Sequence, residues 1–85
     1  MAIDSNALIA EYVEPNPHRA GVAEARLRDS AQPIWALIAY WRAAGEDAQR
    51  VADDYRIPLR AVEAAVAYYH RHRAAIDERI AANSA

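Results

Sequence analysis

The 85-residue chain contains no cysteine, no phenylalanine and no lysine, and each absence narrows what it can be. Without cysteine there is neither a disulfide framework nor a thiolate metal site. Without phenylalanine, the bulk of the core must come from two tryptophans, five tyrosines and the aliphatic residues, because the many alanines favour helix but fill little volume. No apolar run is long enough to span a membrane. Asp4 and Glu11 interrupt the early apolar residues, so neither a signal peptide nor a membrane partner is predicted, and we expect a cytoplasmic protein.

The charge balance argues against strong DNA binding by a single copy. All ten basic residues are arginine, and the net charge is −2, whereas proteins that depend on phosphate contacts are usually basic. The arginines are not evenly spread. Residues 59–85 carry four arginines against three acids, whereas residues 1–33 carry three arginines against five. The basic weight therefore lies toward the carboxyl end.

The length indicates one domain with a modest core. Chains of this size are often stabilised by self-association, so we expect a homodimer or a higher homo-oligomer. No motif for a cofactor is present, and none is expected.

The first third of the chain gives weak structural signals. Ala7–Val13 fits either a strand or the end of an N-terminal helix. Residues 14–21 contain two prolines and a glycine, which predict a loop, and Val22–Leu27 predicts a short strand. Residues 1–32 are thus interpreted as a loop and strand segment, a candidate dimerisation arm, and residues 33–85 as the main domain.

Three helices are predicted in the rest. The first runs from Pro33 to Ala44, with Gly45 as its stop. The second spans about Glu46–Tyr55, and the third starts near Pro58 and continues to about Ala82. The predicted fold is mainly α: a homeodomain-like helix-turn-helix with a three-helix core, a short N-terminal β-strand or hairpin, and a long C-terminal helix.

The junction between the second and third helices carries the helix-turn-helix prediction. Ala52, Ile57 and Val62 fall where the inner face of two steeply crossing helices needs small or apolar side chains. Arg56 occupies the turn position that commonly requires a left-handed backbone, where glycine is usual.

A helix-turn-helix would place the start of its last helix in the DNA major groove. Arg60 and Glu63 are the side chains there that can read guanine and cytosine edges, and Arg50 and Arg56 would contact phosphates. Two alternatives remain open. Arg50 precedes Asp53 and Asp54 at ion-pair spacing, and a three-helix bundle of the same pattern need not touch DNA.

The apolar stripe of the third helix is interrupted. It runs through Leu59, Val62, Val66 and Tyr69, and then meets Arg73 before Ile76 and Ile80 continue it. We therefore expect Ile76 and Ile80 to lie beyond the helix-turn-helix core and to need another surface. That surface is a second copy, the N-terminal segment or a partner protein.

No catalytic or metal-binding constellation is apparent, so the chain is not predicted to be an enzyme. His70 and His72 are two residues apart and do not share a helix face. The adjacent carboxylates of Asp53 and Asp54 diverge for the same reason.

Several segments resemble the domain-of-unknown-function 433 family. They are Pro33-Ile34-Trp35, Val51-Ala52-Asp53-Asp54-Tyr55, Ile57-Pro58 and Val62-Glu63-Ala64-Ala65-Val66-Ala67-Tyr68-Tyr69, within a region that covers about residues 14–82. The resemblance implies a homeodomain-like helix-turn-helix and an antitoxin that masks a PIN-like ribonuclease toxin and represses its own operon by binding operator DNA. Where many members carry Gly-Thr-Arg before the first helix, this chain has Arg28-Asp29-Ser30, so any role of that step is not carried over.

The resemblance also suggests how a toxin would be bound. The metal-binding cleft of a PIN-like nuclease is acidic, so Arg71, Arg73 and Arg79 are candidates to enter it. Ile76 and Ile80 would serve as apolar anchors beside them. The alternative is a protein-only interaction or adaptor module that has a helix-turn-helix shape and makes no DNA contacts.

Overall fold

The computed structural model describes residues 4–84, so Met1–Ile3 and Ala85 of the predicted segments lie outside it. The described part contains five α-helices: α1 (Ser5–Tyr12), α2 (Ile34–Ala43), α3 (Ala48–Tyr55), α4 (Leu59–Arg71) and α5 (Arg73–Ser84). Two short strands, β1 (Val13–Glu14) and β2 (Arg26–Leu27), pair antiparallel. The prediction of a mainly helical fold with a small N-terminal sheet is confirmed.

The ambiguous segment before the first proline is a helix. The side chain of Asp4 accepts hydrogen bonds from the backbone N–H groups of Asn6 (3.0 Å) and Ala7 (3.3 Å). It thereby satisfies two of the donors that a helix start leaves without an intrahelical partner. The helix ends where the extended backbone of Val13 enters β1.

The predicted strand Val22–Leu27 is wrong in its first half, because Val22–Glu24 form a 3₁₀ turn and only Arg26 and Leu27 pair with β1. Gly21 turns the chain at a φ of +112°, a conformation that side chains disfavour. The Tyr68 hydroxyl then donates to the Val22 carbonyl over 2.6 Å. This long-range hydrogen bond joins the turn to α4.

The helices α2 and α3 lie close to their predicted bounds. The face of α2 formed by Ile34, Leu37, Ile38 and Trp41 is buried. Gly45 follows the helix with φ +74°, and the next N–H bonds back to the Trp41 carbonyl over 2.8 Å. Such a left-handed step is a common way to end a helix.

The bend between α3 and α4 has the predicted interior. Ala52 and Val62 are buried in the core, and Ile57 packs against it. Arg56 has the left-handed backbone that is common at this turn position, with φ 57° and ψ 48°, and the Ile57 N–H bonds to the Ala52 carbonyl over 3.0 Å. A helix, a sharp turn and a second helix are therefore present.

The prediction of one long last helix is wrong, because the helix is interrupted at His72 and the chain continues as the separate helix α5. His72 has φ −127° and ψ 36°, outside the helical region, and its N–H is shared by the carbonyls of Tyr68 and Tyr69. Neither proline nor glycine is present at the break. Its physical reason is tertiary: the change of direction returns α5 to α2 and buries Ile76 completely.

The N-terminal segment shares the core of the helix-turn-helix. Leu8, Val13, Ala25 and Leu27 belong to the same buried cluster as the residues of the bend. The helix α1 runs antiparallel along α4: Asn6 contacts Arg71 at one end, and Tyr12 lies beside Pro58 and Ala61 at the other. The segments on the two sides of the boundary predicted between residues 32 and 33 therefore share one core. The dimerisation role of the N-terminal arm stays a prediction.

Candidate binding surfaces

The four residues predicted to contact DNA lie on one stretch that we call the bend surface: Arg50, Arg56, Arg60 and Glu63. Arg50 is on α3, Arg56 is in the turn, and Arg60 and Glu63 are on the first two turns of α4. The three arginines are exposed, and Glu63 is half-buried. The three guanidinium groups are therefore accessible to a ligand from solvent.

Carboxylates lie near two of these arginines, Arg50 and Arg60. The Arg50 Nε lies 3.6 Å from an Asp54 carboxylate oxygen, so the ion pair predicted from their spacing is present, while a phosphate contact of Arg50 stays a prediction. The same carboxylate accepts a hydrogen bond from Tyr40, which raises the pKa of that phenol. Arg60 borders a shallow depression that it shares with Asp4 and Glu11 of the α1 region. The positive charges of the bend surface are therefore offset by neighbouring carboxylates.

The residues predicted to bind a partner do not form one patch. Ile76 is fully buried, so its predicted place outside the core is wrong: the break at His72 folds α5 back and makes it a core residue. Ile80 is half-buried and packs against the same core. Arg79 donates to Glu24 over 2.8 Å, and its guanidinium lies 4.2 Å from the centroid of the Trp35 ring. Arg79 is thus bound within the fold.

Arg71 and Arg73 are both exposed but point to different parts of the molecule. Arg71 donates to the side-chain amide oxygen of Asn6 on α1. Arg73 contacts the His70 ring nitrogen over 3.0 Å, and its guanidinium lies 5.3 Å from the centroid of the Tyr69 ring. Their contacts therefore differ: Arg71 is bound to α1, whereas Arg73 is held against the carboxyl end of α4.

Sequence reasoning missed a cluster at the break between α4 and α5, which we call the elbow surface: Arg42, Tyr69, His70, Arg73 and Asp77. Arg42 lies 4.9 Å from the Tyr69 ring centroid, on a ring that Arg73 also contacts. Arg42 also donates to the Tyr69 oxygen and to Asp77, while the Tyr69 hydroxyl donates to Asp77 over 2.8 Å. Only the four-residue spacing of Arg73 and Asp77 hints at this cluster in the sequence, because the break is what brings Asp77 of α5 to Arg42 of α2.

The hydrogen bonds of the elbow surface change the acidity of two groups. The bond from Tyr69, and after it the bond from Arg42, lowers the pKa of the Asp77 carboxyl below its ordinary value. The bond to Asp77 raises the pKa of Arg42 further. Asp77 is therefore ionised, and it compensates one of the two guanidinium charges.

Two grooves flank the carboxyl half of α4. The first is an apolar cleft of about 360 Å³ beneath residues 15–21, lined by Ile9, Val13, Pro15, Val22, Ala25 and Tyr68 among others. Burial raises the pKa of the Tyr68 phenol at its edge. The second, the α1–α4 groove, has a similar volume and is lined by Ser5, Leu8, Glu63, Val66, Ala67, His70 and Arg71.

Within residues 4–84, no group of three or more histidine or acidic side chains is placed to hold a metal ion. None of the helices in this part of the chain has both the length and the apolar character needed to cross a membrane. No protein-family model, no curated protein and no solved structure matches the chain. The resemblance to the domain-of-unknown-function 433 family consequently stays a prediction from its residues.

Proposed function

We propose that the chain is a protein-binding module that neutralises an acidic-site partner by direct contact, with no DNA contacts of its own. The single observation that carries this proposal is the difference in charge balance between the bend surface and the elbow surface. The partner chemistry follows the family resemblance, which implies a PIN-like ribonuclease toxin with an acidic metal-binding cleft.

The bend surface is poorly suited to phosphates. DNA affinity comes largely from arginine and lysine side chains that displace the cations condensed on the backbone. Arg50 is paired with Asp54, and Arg60 has Asp4 and Glu11 as neighbours around one depression. Each of these carboxylates would repel a phosphate brought to the adjacent arginine, so the −2 chain gains little affinity there.

The elbow surface has the opposite balance. Two guanidinium groups, those of Arg42 and Arg73, flank one tyrosine ring, and Asp77 forms a salt bridge with the first of them. Arg73 is exposed, and its polar contact within the fold is to a histidine ring rather than to a carboxylate. An arginine held in this way retains its charge for a carboxylate of a partner.

The test is co-purification of the chain with the protein encoded by the adjacent reading frame, followed by inhibition of that protein's ribonuclease activity. The variant Arg73→Glu should weaken the complex by about 30-fold, since loss of one member of a desolvated charge pair costs about 2 kcal/mol or more. The matched variant Arg56→Glu makes the same charge change at an exposed position of the bend surface, and it should leave the affinity unchanged. Equal affinity of Arg73→Glu and the unaltered chain would exclude the elbow surface.

A second candidate function, operator binding, is favoured by the exposure of Arg50, Arg56 and Arg60 around a helix–turn–helix bend. In this case the homeodomain-like assignment holds and a dimer reads two half-sites. A gel-shift on the DNA upstream of the chain's own gene, at rising salt, separates the two functions. Binding that falls with salt and is lost in Arg60→Ala would replace the first proposal with the second.

A further inference from the structure

The α1–α4 groove contains two opposite charges that have no ionic partner. Glu63 and Arg71 both line it, and within residues 4–84 neither forms a salt bridge. Arg71 is bound to Asn6, whose neutral amide leaves the guanidinium charge uncompensated. Arg50 and Arg42, by contrast, form salt bridges with Asp54 and Asp77.

The two charges cannot pair with each other within one chain. They are eight residues apart on α4, which separates their Cα atoms by about 12 Å at 1.5 Å per residue. They nevertheless belong to one ridge of the helix, since Glu63, Ala67 and Arg71 follow at four-residue intervals. Ala67 is the midpoint of this ridge and carries only a methyl group.

From this arrangement we infer that the α1–α4 groove is the contact surface for a second copy of the chain. A two-fold axis that passes at Ala67 sets the two α4 helices antiparallel, with Glu63 of each copy opposite Arg71 of the other. The small side chain of Ala67 lets the backbones approach at the crossing point. Ridges of four-residue spacing commonly pack against each other at an angle of about 50°.

The apolar residues of the groove also favour a second copy of the chain as the molecule that binds there. Leu8, Val66 and Ala67 lie between the two charged ends, so a second copy brings apolar floor against apolar floor and charge against opposite charge. An interface with two-fold symmetry uses the same patch on both copies, and it must therefore complement itself. A row with a negative end, a small apolar centre and a positive end satisfies this condition.

Charge reversal tests the inference directly. The unaltered chain should have twice its 9.4 kDa mass in sedimentation equilibrium. Glu63→Arg and Arg71→Glu should each shift it toward the monomer, with dimerisation at least about tenfold weaker, because each change places like charges at two symmetry-related contacts. The double variant E63R/R71E should recover the dimer.

The most specific measurement is a mixture of the two single variants. In a heterodimer of E63R with R71E, both contacts again join opposite charges, so native mass spectrometry of the mixture should detect mainly that species. A variant that merely fails to fold cannot give this result. Glu78→Arg repeats the charge change of E63R at an exposed position of α5, and it should leave the dimer intact.

A monomeric unaltered chain at high concentration, or a mixture without heterodimer, overturns the inference. The inference does not depend on the proposed function. His70 is shared by the elbow surface and the groove, but the elbow arginines Arg42 and Arg73 lie outside the groove. If R71E loses the dimer but still inhibits the ribonuclease fully, the dimer and the partner contact are separate. The same follows if Arg73→Glu keeps the dimer but no longer inhibits the ribonuclease.

Discussion

The replacement Ile76→Ala distinguishes a folded α5 from an independent arm. Ile76 has no solvent-exposed surface and is among the largest fully buried side chains of the described residues. If α5 were a free extension waiting for a partner, truncation of this side chain would change the stability of the isolated chain very little. If α5 is part of the core, truncation removes buried apolar volume.

The expected cost follows from two contributions. The change removes three carbon atoms, worth about 2.4 kcal/mol at about 0.8 kcal/mol per buried group. A residual cavity of about 50 Å³ adds about 1.2 kcal/mol at about 24 cal/mol per Å³. The total of about 3.5 kcal/mol is a large part of the roughly 4–13 kcal/mol expected for a chain of this length.

Urea unfolding followed by circular dichroism measures this free energy, with Glu78→Ala as the control on the same helix. Glu78 is exposed, so its truncation should change the free energy of unfolding by no more than about 0.5 kcal/mol. A loss below about 1 kcal/mol in Ile76→Ala, with an unchanged urea slope, would refute the packing of α5 against the core.

Two further changes test local features. Asp77→Asn should flatten the acid limb of the stability profile: the folded pKa of Asp77 lies below its ordinary value of 3.8, so its contribution is fully present above that pH and is lost as the pH falls through the lower folded value. Unfolding measured across acidic pH checks this, and an unchanged profile contradicts it. Arg56→Gly should raise the unfolding free energy by about 0.5–1 kcal/mol, because glycine adopts the left-handed backbone at this turn without strain. Arg50→Gly, inside α3, should lower it by about 1 kcal/mol; a loss of stability in Arg56→Gly would show that its side chain matters more than its backbone.

Local sequence signals predicted the middle of the chain well. The apolar spacing of α2, the stop at Gly45 and the triad Ala52, Ile57 and Val62 each depend on residues within one or two turns of one another. Arg56 adopts the left-handed backbone for which glycine is usual at this turn position. At these positions local preference and tertiary packing agree, as they do in readily folding sequences.

The failures share a different cause. Residues 70–74 contain nothing that breaks a helix, and the apolar positions continue after Arg73 at helical spacing. The break depends on contacts with residues far away in the sequence: Arg42 with Asp77, Glu24 with Arg79, and Ile76 with the core. The spacing of apolar residues along a single helix says nothing about contacts with distant parts of the chain. The elbow surface could therefore not have been predicted from that spacing.

The break also decides which arginines remain for a ligand. With a continuous helix, Arg71, Arg73 and Arg79 would all extend from the core on one rod beside two exposed isoleucines. In the folded chain Arg79 neutralises Glu24, Arg73 joins Arg42 on the elbow surface, and Arg71 faces the α1–α4 groove with its charge uncompensated. A dimer through that groove would lie beside the start of α4, where Glu63 is half-buried and Arg60 is one turn away. Self-association and insertion of this helix face into a DNA groove therefore compete for the same side chains, whereas Arg42 and Arg73 of the elbow surface lie outside the dimer groove. This competition favours a protein partner over DNA for a dimer built in this way.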